Sequence, residues 1–137
     1  MKVSLKYILI PVLLAGIALV YSCSTKKNTF TRRAYHNLTT HYNIYWNGNE
    51  SFKTAKNSLK ENAADNYNNI LTVYNFGTAD EARKIYSGMD SAIEKDGIAI
   101  PRHSLFFENK EFNRWIDDCY MLIGKAQFYK QDYANSR

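Results

Sequence analysis

An apolar run that closes on one cysteine decides how much of this chain is available to fold. Residues 13–23 read Leu-Leu-Ala-Gly-Ile-Ala-Leu-Val-Tyr-Ser-Cys, the apolar character extends back to Tyr7, and Lys2 and Lys6 precede it. A run of about 14 apolar residues falls short of the roughly 20 that a bilayer span needs and matches the core of a secretory leader with its positive flank. Removal of residues 1–22 would leave about 115 residues, room for one small domain. It would also take two lysines from the net charge of +5. The remaining basic residues are spread along helical patterns as solvated faces, so the charge is no argument for nucleic acid. At 45% hydrophobic and 23% charged, the composition is that of a globular chain.

The end of the run, Val20-Tyr21-Ser22-Cys23, resembles a bacterial lipobox, with an aliphatic residue three before the cysteine and a small one just before it. Tyr21 is bulky for the loosest position of that pattern. The resemblance implies that diacylglycerol is attached to the Cys23 sulfur, that the leader is cut, and that the new N-terminus takes a further acyl chain. Two or more chains anchor a protein stably where one would not. By resemblance to lipoprotein sorting signals, Ser24 in place of Asp, and the lack of an acidic cluster after it, imply an outer-membrane lipoprotein facing the periplasm. Residues 23–29 are then a lipidated tether. Lys26, Lys27, Arg32 and Arg33 either lie against anionic head groups, at about 1 kcal/mol each, or are simply solvated. With Cys23 acylated, Cys119 has no intramolecular disulfide partner and reads as a small core residue.

After the tether the expected fold class is all-α, occupying residues 30–137. Residues 30–63 read as a helical hairpin. Its first helix has Phe30, Ala34, Leu38, Tyr42 and Tyr45 on one face, Asn47-Gly48 acts as the stop, and its second helix turns Phe52, Ala55, Leu59 and Ala63 inward. Residues 64–77 read as an extended linker packed on helices. Thr78-Ala-Asp-Glu81 is a capping box that opens a helix over 78–100, with Ala82, Ile85, Met89 and Ile93 inward and Gly88 a local weakness. Pro101 is expected to end that helix, and Arg102–Asn109 to be a loop. The last helix is expected from about Lys110 to Lys130, with Trp115, Cys119, Leu122, Ile123, Ala126 and Tyr129 as its stripe.

The run from Ile123 to Ser136 resembles the first helix and turn of a tetratricopeptide repeat. Ile123, Gly124, Ala126, Phe128, Tyr133 and Ser136 take the signature places, and Gln131 stands where a turn glycine is usual. Residues 110–137 are thus a partial repeat. More widely, Arg33–Ser51 (RAYHNLTTHYNIYWNGNES), Met89–Ser104 (MDSAIEKDGIAIPRHS) and Met121–Tyr129 (MLIGKAQFY) resemble the N-terminal region of the PorW/SprE family. Those are repeat-rich outer-membrane lipoproteins of type IX secretion and gliding motility in Bacteroidetes. The resemblance implies a non-enzymatic helical scaffold for protein–protein contact, anchored in the membrane by lipid and partnered by envelope proteins, with neither nucleic acid nor a small-molecule substrate. Family members continue through further repeats, so this chain reads as a fragment of a longer scaffold. Because repeats bury their faces on neighbours, the stripe from Trp115 to Tyr129 is expected to be left uncovered.

The candidate interaction residues are Tyr45, Trp46, Trp115 and Phe128, drawn from a chain with 11 Tyr, 7 Phe and 2 Trp. The competing assignment puts Tyr42 and Tyr45 in the core and packs Trp46 across the hairpin turn. A second function, a glycan- or nutrient-binding lipoprotein working with a transporter, would use Trp46 and the nearby tyrosines. His36 and His41 are five apart, about 140° around an α-helix, which does not suit a shared metal, and His103 lies far off in sequence. Asp117 and Asp118 are adjacent, diverge around the helix and make a poor acid–base pair. No nucleophile elbow, phosphate loop or Cys-x-x-Cys is present, so neither an enzyme nor a cofactor is expected beyond the lipid on Cys23.

Overall fold

The computed structural model describes residues 27–62, 67, 68, 70, 74 and 76–137. The leader, Cys23 and the first part of the tether lie outside the described residues, as does most of the 64–77 linker. Among the described residues no helix is long and apolar enough to cross a membrane.

The described residues are mostly helical, with one very small sheet. Helix α1 spans Phe30–Thr39 and runs without a break through a π-helical segment, Thr40–Tyr45, into α2, Trp46–Glu61. The short α3, Ala79–Lys84, leads into α4, Tyr86–His103. Strands β1 (Phe106–Phe107) and β2 (Lys110–Glu111) pair antiparallel, and α5 is Trp115–Tyr129. Helix α4 is the centre of the fold, packed most extensively against α2 and α5.

The core follows from the inward stripes of these three helices. Phe52, Ala55 and Leu59 of α2 meet Met89 and Ala92 of α4 and Leu122, Ala126 and Tyr129 of α5, with Ile85 at the joint between α3 and α4. Small residues set the spacing. A Cβ on Gly88 would stand 2.7 Å from the Ala55 Cβ, so the glycine that weakens α4 in isolation is what lets α4 approach α2. The capping box forms as expected. The Thr78 amide donates to Glu81 Oε2 at 2.7 Å, and the Glu81 amide donates to Thr78 Oγ1 at 3.4 Å. The Thr78 amide, and after it the Thr78 hydroxyl donating to Glu81 Oε2 at 3.0 Å, hold the Glu81 carboxyl below its usual range.

Several expectations fail, each for a physical reason. Where a hairpin over 30–63 is expected, Phe30–Glu61 is a single continuous helical run, because Asn47-Gly48 does not stop it; Ala63 lies outside the described residues. Gly48 is buried where α2 crosses α4, and the contact it permits outweighs its low helix propensity. The apolar face drawn through Phe30, Leu38 and Tyr42 points to solvent, at 85%, 58% and 62% exposure, while His36 and Thr40 are buried. A π turn takes one more residue than an α turn, so everything upstream is rotated by about 100° relative to an unbroken α-helix. Pro101 does not end α4, which runs on to His103. The bond Pro101 cannot make would go to Gly97 in the last turn, where that glycine is exposed to water. Helix α5 begins at Trp115 rather than near Lys110, since Lys110–Glu111 is spent on the hairpin. Glu108 and Asn109, at φ of 50° and 60°, make its two-residue turn without the Asn-Gly signature that would announce one.

The stripe of α5 is not left uncovered. Cys119, Leu122, Ala126 and Tyr129 are buried within the chain's own helices. Of the linker residues described, Ile70 and Tyr74 are exposed and Phe76 packs on the core.

Candidate functional site

Two features stand out from this frame: a polar joint buried between the N-terminal helix and the rest of the fold, and an exposed aromatic face on α5.

The joint is built on Asn113, which is fully buried just before α5. Its Nδ2 donates to Thr40 Oγ1 at 2.8 Å, to the His103 carbonyl at 3.0 Å and to the His36 carbonyl at 3.4 Å, and its Oδ1 accepts from the Trp115 amide at 3.2 Å. Asn37 repeats the pattern one position along α1. It donates to the Phe112 carbonyl at 3.0 Å and accepts from the Arg114 amide at 3.0 Å, while the Arg33 guanidinium lies 4.0 Å from the Phe112 ring centroid. Glu111 organises the other side, accepting from the amides of Leu105 at 2.7 Å and Asn113 at 2.8 Å and from the Ser104 hydroxyl. The face that α1 buries is therefore polar, because what it meets is a hydrogen-bonding loop rather than an apolar helix.

Within the joint, His36 and His103 approach with their Nδ1 atoms 3.0 Å apart. They are 67 residues apart in sequence, and the fold joins what the spacing kept separate. Both are held below the ordinary imidazole value: His36 by burial and then Arg32, His103 by burial and then His36 and Arg102. Among the described residues no three His, Cys, Asp or Glu side chains converge on a possible metal position.

A second buried polar group lies where the π segment and α2 meet α4 and α5. Asp96 is fully buried, and neither carboxylate oxygen has a conventional hydrogen-bond partner. Burial pushes its pKa up to about 6, against the smaller opposing pull of the Cys119 thiol and Lys95. Burial, and then the Asp96 charge, push the Cys119 thiol up in turn. The Tyr45 phenol is raised by burial and then by Asp118 and Asp96.

The candidate interaction residues divide. Tyr45 is half-buried and packs on the core, with its ring centroid 5.3 Å from that of Trp115. Trp115 is half-buried and stacks face to face on His41, at 3.6 Å and 6°. Trp46 is 54% exposed, with no hairpin turn to pack across, and Tyr42 is exposed rather than in the core. Phe128 is partly exposed and lies with Tyr120 and Met121 on the outer side of α5, and its ring centroid is 5.4 Å from that of Tyr133 beyond the helix. This face borders an open groove of about 610 Å³ lined by Tyr120, Met121, Gly124, Phe128, Asn135 and Ser136. Cys23 lies outside the described residues.

Sequence reasoning passed over Asp96, Asn113 and the pairing of the histidines. Only Asp96 carried a signal, a charge on the same helical stripe as Met89, Ala92 and Ala99. A scan against protein-family models finds no match for this chain, and a search of curated proteins finds no relative of it.

Proposed function

We propose that this chain is a non-enzymatic outer-membrane lipoprotein, anchored by lipid on Cys23 and facing the periplasm, whose helices form a docking scaffold for other envelope proteins. The family resemblance makes type IX secretion and gliding components the partners. The observation that carries this reading is the outer side of α5, where Tyr120, Met121 and Phe128 are 57%, 60% and 37% exposed while the inner side is core.

The tetratricopeptide reading draws support from the chain reversal after α5. Gln131 takes φ 61°, the left-handed conformation that glycine adopts freely at that turn. The following residues fold back until the Ser136 carbonyl stands 3.3 Å from where a Gly124 Cβ would be, the close approach that such a glycine serves. The Ser136 amide donates to the Asp132 carbonyl at 3.1 Å, as in a helical turn.

Crosslinking and capture from an envelope fraction tests the reading. The wild-type chain should recover a secretion component, and Tyr120→Ala combined with Met121→Ala should lower recovery at least tenfold with the melting temperature unchanged. Recovery of no such component by the wild type would overturn it. The exposed rings of Trp46 and Tyr42 favour a second reading, glycan binding, which calorimetry with oligosaccharides on wild type and Trp46→Ala decides.

A further inference from the structure

We infer that the His36–His103 pair is a proton-operated latch that releases α1 from the body of the fold as pH falls. The inference stands on the geometry of the joint and not on the scaffold reading.

Two nitrogens 3.0 Å apart can share only one proton. The hydrogen-bond pattern assigns its position. His36 is 4% exposed and its Nε2 has no partner, so a proton there would be a buried, unsatisfied donor. His36 therefore carries its proton on Nδ1 and donates to His103 Nδ1, and His103 carries its own on Nε2.

Neither way of adding a proton preserves this arrangement. On His103 Nδ1 it removes the acceptor and sets two N–H groups against each other. On His36 Nε2 it creates a buried cation with no acceptor. The surroundings offer no compensation. Arg32 on α1 and Arg102 on α4 both oppose a further positive charge. Tyr35, whose ring centroid is 5.1 Å from that of His36, meets it edge-on through an aromatic ring. The carboxylate of the adjacent hairpin, Glu111, is engaged by Ser104 and by the Leu105 and Asn113 amides. Asn113 and Thr40 are uncharged.

The sign is set by the lowered pKa values. The latch is closed above the ordinary imidazole value of about 6.5, and its contribution is lost as pH falls through the depressed folded values. Release stays local, because the contacts of Arg33, His36 and Asn37 lie on residues 103–114 while the apolar core is formed by α2, α4 and α5. The π segment is the natural hinge, since it is the irregular turn that aims His36 at His103.

Hydrogen exchange of the full chain, corrected for intrinsic rates, tests this at pH 7.5 and pH 5. Protection of residues 30–39 should fall at least tenfold on acidification while that of residues 116–129 does not fall. In His103→Gln, whose amide cannot take up a proton, the pH dependence of residues 30–39 should shrink to the part that burial of His36 sets. Imidazole NMR titration of the wild type provides a measurement that does not depend on the variant folding, and both rings should titrate below 6.5. Equal protection of residues 30–39 at the two pH values, an unchanged pH response in a folded His103→Gln, or either ring titrating at or above 6.5 would overturn the latch.

Discussion

Gly48 leaves no room for a Cβ against Asp96: the position it would take is already filled by the carboxylate's Oδ2. A glycine on one helix and a buried acid on the next thus make one contact, which holds α2 and α4 together beside Cys119 of α5.

Two glycine substitutions should therefore have opposite signs. Gly48→Ala must displace a buried carboxylate, and overpacking of this kind costs about 1–3 kcal/mol, more than alanine's helix preference returns. Gly97→Ala on α4 meets nothing within 4 Å and should stabilise by about 0.5–1 kcal/mol. Urea denaturation of the two variants checks the pair, and a stabilised Gly48→Ala would refute the contact.

Asp96 should make the core less stable as pH rises. Its folded pKa, up to about 6, exceeds the ordinary value of 3.8, so the folded state holds the proton more tightly. This contribution is complete below 3.8, is lost between about 4 and 6, and stays lost above, a change of roughly 3 kcal/mol. The sign is opposite to that of the histidine latch. Exchange at residues 116–129 against pH should therefore show protection falling from pH 4 to pH 6, and Asp96→Asn should flatten the curve.

Asn113→Ala should cost about 2–4 kcal/mol, since it takes the amide partner from Thr40 and from the His103 carbonyl in a buried site. Asn113→Asp, which keeps the shape but loses the donors, should be no better. Thermal melts would measure both, and a loss under 1 kcal/mol would mean that water replaces the amide.

Cys119 should be inert in the folded protein. The thiol is fully buried and raised by burial and by Asp96, so little thiolate exists to react. Labelling by a thiol reagent at pH 8 should follow the unfolding rate and become complete in denaturant. Rapid labelling of the native chain would contradict the burial.

Local signals carried much of the fold. The capping box at Thr78–Glu81, the inward stripes through Phe52, Ala55 and Leu59 and through Ala82, Ile85 and Met89, and the burial of Cys119 were legible because each arises within one or two helical turns. The face of α1 was misread for a specific reason. Periodicity counts apolar residues at α spacing, and this helix both inserts a π turn and buries histidine, threonine and glycine in place of Phe30, Leu38 and Tyr42.

Short-range propensity and repeated apolar spacing are enough to make the chain helical, to set where most helices lie and to turn the apolar sides of α2, α4 and α5 inward. That α1 and α2 are one run, that His36 meets His103, and that Gly48 receives Asp96 come from the packing of the folded chain. Such pairings satisfy hydrogen bonds or fill space between residues tens of positions apart, and a contact of that kind leaves no period along the chain.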